Sequence, residues 1–132
     1  MKIHRLALRV LMPIVFLAGM AATRQDALDS VLGALKSGNA TQLAGRFEKE
    51  LTLTLPDQSS SLNKAQAQAA ITKFFSNYPV TGFELKHRGN APGGAFAIGT
   101  LLTEKGQFRV NVFMSPGGPK EGVRELRIQT MD

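Results

Sequence analysis

The most regular helical pattern of the chain lies between residues 64 and 78. Its apolar positions recur three or four residues apart and line one face of a helix: Ala67, Ile71, Phe74, Phe75 and Tyr78. Asn63 and Gln66 have the spacing of a capping box, which predicts that the helix begins at Lys64. Pro79 disfavours the helical conformation in the residue before it, so we expect the helix to end near Asn77.

The pattern changes from helical to alternating soon after this helix. Phe83, Leu85 and His87 alternate with charged residues, which is the period of a strand that buries one face. We therefore predict a strand from Phe83 to Arg88, with His87 on its apolar face. Tyr78, the sole tyrosine, is expected to pack at the end of the helix rather than line a cavity.

Three further alternating segments complete the C-terminal half of the chain. They are Ala95–Thr103, Gln107–Met114 and Val123–Thr130, and segments rich in Gly and Pro or short polar turns separate them. The first of the three has apolar residues on both faces, which favours a central place in a sheet. The whole C-terminal half is therefore predicted to be four consecutive strands.

The N-terminal part reads as two helices and a strand. An amphipathic helix is predicted from Gln25 to Lys36, followed by a short second helix whose inward side includes Phe47. Leucine alternates with threonine from Leu51 to Leu55, which predicts a strand. We expect the polar run Gln58–Ser61 to be a loop that leads to the next helix. The resulting order indicates an α+β fold, with helices on one face of a mainly antiparallel sheet.

Several short motifs are similar to those of a known family. They are SGNA at residues 37–40, the pair Phe74 and Phe75, FELKHRG at 83–89, AIGTL at 97–101 and LRI at 126–128. On these the chain resembles domain-of-unknown-function family 4783, a group of small exported bacterial proteins. The topology resembles the cone-shaped nuclear transport factor 2-like, or ketosteroid isomerase-like, fold. That resemblance implies three N-terminal helices packed on a curved sheet, and it implies no catalytic residue.

Residues 1–21 have the pattern of a secretory signal peptide. Basic residues precede the apolar run from Val10 to Ala18, and small residues follow it. That run has nine residues, against the ~20 that span a bilayer, and Pro13 interrupts it, which disfavours an uncleaved anchor. We expect cleavage after Ala21, a single domain at residues 22–132, no stable membrane insertion afterwards, and a periplasmic or secreted protein.

Removing that segment changes the charge of the protein. Three of its six net positive charges lie in residues 1–21, and the others are scattered among acidic residues. A chain without a basic block offers little for nucleic acid, so we expect none as a partner. The chain has no cysteine, so packing alone must stabilise the exported domain.

His87 is the only histidine of the predicted mature domain, and two interpretations of it stay open. It is either a partly buried structural ring or a group at the mouth of a pocket. We predict that Phe47, Phe74, Phe83 and His87 border a pocket for a small apolar ligand at the wide end of the cone. One histidine without cysteine gives no metal site, and no cofactor or catalytic residue is expected.

Three functional hypotheses follow from this pattern. The first is a non-catalytic module that binds a small molecule or an envelope protein. The alternative is an enzyme of isomerase or hydrolase type, which needs a buried titratable group in the same pocket. The third is a structural partner without a pocket. Arg109, Asn111 and Arg127 alternate with apolar residues, so a homodimer through the sheet would cover them.

Overall fold

A computed structural model of the protein describes residues 26–117 and 121–131. The predicted signal peptide, its cleavage after Ala21 and the start of the domain at residue 22 lie outside these residues. Within the two described ranges, no helix is both long enough and apolar enough to cross a membrane.

The described residues form helices and strands in an α+β arrangement, as predicted. The helices are α1 (Ala27–Ser37), α2 (Ala40–Ala44) and α3 (Lys64–Asn77). The strands are β1 (Phe47–Leu55), β2 (Gln58–Asn63), β3 (Val80–Ala91), β4 (Gly94–Thr103), β5 (Gly106–Met114) and β6 (Val123–Thr130).

All of these strands belong to one sheet, in the order β2-β1-β6-β5-β4-β3. β1 and β6 run parallel, and the other neighbouring pairs are antiparallel. The last strand therefore lies in the middle of the sheet, between the first strand and the hairpins of β3, β4 and β5. The prediction of a mainly antiparallel sheet is confirmed.

The helices cover one face of this sheet, which we call the inner face. Ala97 and Leu101 of β4 are buried there in one apolar core that also includes residues of all three helices. Phe96, Ile98 and Thr100 lie on the opposite side, the outer face, because successive side chains of a strand alternate. β4 thus has apolar residues on both faces, as predicted.

The helix α3 has the boundaries that the sequence predicts. The Asn63 Oδ1 atom accepts a hydrogen bond from the Gln66 backbone N–H at 2.8 Å. In return, the Asn63 N–H donates to Gln66 Oε1 at 3.1 Å, which completes the capping box. The apolar stripe, which includes Ile71 and Phe74, is buried against the sheet.

Two N-terminal predictions are wrong. The run Gln58–Ser61 is not a loop, because it belongs to β2 and pairs with β1 after a tight turn at Pro56 and Asp57. Its serines carry no apolar pattern, so backbone hydrogen bonds rather than side-chain burial make it a strand. Phe47 does not end the second helix; it is buried as the first residue of β1.

The prediction that His87 lies on the apolar face is also wrong. Leu85 pairs with Gly99, yet His87 pairs with Ile98, so Lys86 is one extra residue in β3. Such a β-bulge reverses the alternation of every later side chain in the strand. His87 is therefore exposed on the outer face, where its ring lies 5.5 Å from that of Phe96.

The same bulge turns Arg88 toward the helices. Its guanidinium donates a hydrogen bond to Asp29 Oδ1 at 2.8 Å and lies 3.6 Å from Asp26 Oδ2. The hydrogen bond from Arg88 lowers the pKa of the Asp29 carboxyl below its usual value. Asp26 is the N-cap of α1, so these ion pairs join the edge strand β3 to the start of that helix.

Candidate functional site

A cleft of about 250 Å³ lies between the β1–β2 turn and the second half of α3. Its lining residues come from these two elements and from the residue after the helix: Leu55, Pro56, Asp57, Gln58, Ala70, Lys73, Phe74, Asn77 and Tyr78. The position of the cleft depends on β2, because the turn that forms one wall connects β1 to that strand.

The apolar part of the cleft rests on a group of aromatic rings. The centre of the Phe74 ring lies 4.9 Å from that of Tyr78 and 5.2 Å from that of Phe108. The Tyr78 and Phe108 rings are 5.0 Å apart and nearly perpendicular, a favourable arrangement for aromatic pairs. Tyr78 therefore packs at the end of the helix, as expected, but it also lines the cleft.

The rim of the cleft is polar. Asp57 and Gln58 lie on the side of the turn, whereas Lys73 and Asn77 lie on the helix, and all four are exposed. A carboxylate, an ammonium group and two amides together offer both donors and acceptors. The cleft can therefore hold the apolar side of a small molecule on its aromatic rings and bond polar groups at its edge.

The structure brings only one of the four predicted pocket residues to this cleft. Phe74 lines it. Phe47 is buried in the core, Phe83 is half-buried against the core from β3, and His87 lies on the outer face. The ligand-binding role of these four residues stays a prediction. Sequence reasoning missed Tyr78 as a cleft residue, although its place on the apolar stripe one helical turn after Phe74 could have indicated it.

The titratable groups of this cleft are not buried. Asp57 and Lys73 are exposed and Tyr78 is half-buried. Within residues 26–117 and 121–131, Thr100 is the only buried residue with a polar side chain. The same residues contain no group of three or more side chains placed to hold a metal ion.

The outer face carries the three polar residues that we expected to find together. Asn111 on β5 pairs with Arg127 on β6, and Arg109 pairs with Gln129. The two arginines also flank Asn111, Arg109 along its own strand and Arg127 across the sheet. The homodimer that would cover this face stays a prediction.

The family model for a domain of unknown function, DUF4783, matches residues 28–129. The chain belongs to the DUF4783 family. Its solved relatives include a DUF4783 protein from Bacteroides uniformis, with 33% sequence identity and a TM-score of 0.74, over 79% of this chain and 96% of that one. A second, from Bacteroides ovatus, has 31% identity and a TM-score of 0.73, over 78% and 94% of the two chains.

More distant structures share the fold of this DUF4783 protein. An NTF2-like protein of unknown function from Cytophaga hutchinsonii is 10% identical, with a TM-score of 0.56 over 81% of this chain and 91% of that one. A putative polyketide cyclase from Sinorhizobium meliloti is 9% identical, with a TM-score of 0.61 over 80% and 95%. No curated protein matches the chain. The predicted family and the nuclear transport factor 2-like fold are confirmed, and at these identities the distant structures establish the fold alone.

Proposed function

We propose that this DUF4783 protein is an exported, non-catalytic module that binds a small molecule in the cleft between the β1–β2 turn and α3. The observation that carries the proposal is the cleft itself, in which the rings of Phe74 and Tyr78 lie beside a polar rim. An aromatic surface next to a few convergent polar groups is the usual composition of a ligand site.

The size and lining of the cleft limit the ligand. Its volume of about 250 Å³ falls just below the range of about 300–1,000 Å³ that is usual for pockets of drug-sized ligands. The ligand is therefore the size of a single ring, such as one sugar or one aromatic amino-acid derivative. One face of that ring lies against Tyr78, beside Phe74, and its polar substituents reach Lys73, Asn77 or Asp57.

No specific observation favours the enzymatic alternative. An isomerase of this fold uses a carboxyl group or a tyrosine that is enclosed in an apolar cavity. Here the carboxylate of Asp57 is exposed at the rim, and the cleft is open to water along its polar edge. These features suit reversible binding better than proton transfer.

A substitution that fills the cleft tests the proposal. Ala70 lines the cleft, whereas its neighbour Ala69 is exposed and does not. The probes are N-acetylglucosamine, N-acetylmuramic acid, phenylalaninamide, 4-hydroxyphenylacetate and benzoate, with binding measured by ligand-observed NMR. We expect at least one probe to bind, and we expect Ala70→Phe to weaken that binding at least tenfold.

Ala69→Phe is the matched control, because it adds the same ring to the same helix outside the cleft. It is expected to bind the probe as the unchanged protein does. Equal binding by the Ala70→Phe protein, or no binding of any of the five probes, would contradict the proposal. Thermal unfolding of both variants shows that each remains folded during the titration.

Export is tested separately, in the native host. We expect the protein in the periplasmic or extracellular fraction, with Ala22 as its first residue in N-terminal sequencing. The signal-peptide pattern of residues 1–21 supports this expectation. An intact chain that starts at Met1 and stays with the cytoplasmic fraction would contradict it.

A further inference from the structure

A second cavity lies on the outer face of the sheet, on the side opposite the helices. Its volume is about 330 Å³. The side chains that line it come from β3, β4, β5 and the residue after β6: Lys86, Ile98, Thr100, Arg109, Asn111 and Met131. It shares no residue with the cleft beside α3, so it is a separate candidate site.

Lys86 of β3 lines one side of this cavity. It lies on the outer face, the side of β3 that also carries Glu84. The Lys86 ammonium lies 3.4 Å from the Glu84 carboxylate, so its charge is partly neutralised. Lys86 therefore forms a hydrophilic wall rather than the main anion-binding group.

Arg109 is the cation of the cavity whose charge no carboxylate of the described residues neutralises. It forms none of the ion pairs found among residues 26–117 and 121–131, whereas Arg127 binds Glu125 at 2.6 Å. A guanidinium group is planar and offers two parallel N–H donors to one carboxylate. Its position opposite Thr100 across the β4–β5 pair places this group beside the floor of the cavity.

Asn111 provides the second recognition group. Its Oδ1 atom is buried and accepts no hydrogen bond. Arg127, across the sheet, does not donate to it. Its Nε atom donates to Glu125 Oε2 at 2.6 Å, and its guanidinium lies 5.6 Å from the centre of the Phe113 ring. A buried acceptor without a donor is rare in proteins, so the Asn111 amide is a candidate partner for a ligand group.

A solvated strand surface does not account for these observations. Water reaches the polar groups of an ordinary exposed face, but here Thr100 is only 6% exposed and the Asn111 oxygen is buried. A half-turn of the Asn111 amide about its Cβ–Cγ bond turns either Oδ1 or the NH₂ group toward the cavity. The amide can thus bond a ligand group that both donates and accepts, as a hydroxyl does.

We infer that this cavity binds a small hydroxylated carboxylic acid, of the sugar-acid class. Its carboxylate pairs with the Arg109 guanidinium, and a hydroxyl group bonds the Asn111 amide. The apolar side of the molecule lies against Ile98 and Met131, and the hydroxyl of Thr100 is a further polar neighbour. This inference does not depend on the function proposed for the cleft.

Binding of simple acids to the full chain tests the inference. The probes are D-glucuronate, neutral methyl glucoside, which keeps hydroxyl groups without the carboxylate, and acetate, which has only the carboxylate. We expect glucuronate to bind at least tenfold more tightly than either of the other two in isothermal titration. Equal binding of acetate would overturn the sugar-acid assignment, and no binding of glucuronate would overturn the site.

Substitutions of residues that line the outer cavity test whether glucuronate binds there. Arg109 is exposed, so Arg109→Gln leaves the core intact, and we expect it to weaken glucuronate binding at least tenfold. Asn111→Ser is expected to weaken glucuronate binding without changing acetate binding. Arg124→Gln removes the same charge from an exposed residue that does not line the cavity, and it is expected to have no effect.

An equal loss in Arg124→Gln and Arg109→Gln would show only a general effect of charge and would overturn the inference. Ala70→Phe, which fills the cleft beside α3, is expected to leave glucuronate binding unchanged. Loss of glucuronate binding in that variant would place the acid in the cleft and not on the outer face. The two sites can therefore fail independently of each other.

Discussion

Replacing Gly94 with alanine is expected to lower the free energy of unfolding by about 3–5 kcal/mol. Gly94 has a φ of 122°, a conformation that residues with an L side chain rarely adopt. A Cβ atom at this position would overlap the carbonyl oxygen of Met114 and lie 3.0 Å from its carbonyl carbon. Both obstacles are backbone atoms, so the contact cannot be relieved by rotating a side chain. Urea unfolding of the purified variant measures the loss.

Gly106 provides the matched control for this substitution. It also begins a strand after a tight turn, and its φ of 127° is close to that of Gly94. A Cβ atom there would have no neighbour within 4 Å. Gly106→Ala should therefore report the backbone strain alone, about 1–3 kcal/mol. Equal losses in the two variants would show that the approach of Met114 to Gly94 contributes nothing.

Truncation of Phe74 to alanine is expected to have the second large effect, a loss of about 3–5 kcal/mol in the free energy of unfolding. The ring is almost completely buried and contacts Phe75, Tyr78 and Phe108. Its removal leaves a void under the cleft and takes away one of its aromatic walls. Phe74→Leu keeps most of the volume and should cost under about 1.5 kcal/mol.

Phe96→Ala is the comparison that separates burial from the loss of a ring. Phe96 is half-buried on the outer face, where its ring covers Gly89 and lies near His87. We expect a loss of about 1–2 kcal/mol, because less apolar surface becomes exposed to water than at Phe74. A loss at Phe96 as large as that at Phe74 would contradict the assignment of the core to the inner face.

The elements that the sequence predicted well are those whose signals are local. The helix α3 has its capping residues, its apolar stripe and its terminating Pro79 within one stretch of chain. β5 and β6 each bury enough apolar side chains to show which face turns inward, whereas β4 has apolar residues on both faces. The short motifs were sufficient to identify the family, which the match over residues 28–129 confirms.

The candidate sites were much less predictable. Phe74 was found because it belongs to the apolar stripe of α3, but the other wall of the cleft depends on the turn before β2. Nothing in the serine run distinguishes a strand from a loop, since β2 is held by hydrogen bonds to the backbone of β1. The outer cavity is assembled from β3, β4, β5 and the residue after β6, which only the pairing of the strands brings together.

The sequence by itself determined the family, the α+β class, the helix α3 and the inward faces of β5 and β6, because each depends on side chains close together along the chain. Only the tertiary structure decided on which face His87 and Arg88 lie. The extra residue Lys86 in β3 moves every later side chain of the strand to the opposite face of the sheet. The pairing with β4 creates this bulge, and the composition of the strand does not reveal it. His87 therefore lies outside, and Arg88 bonds the start of α1.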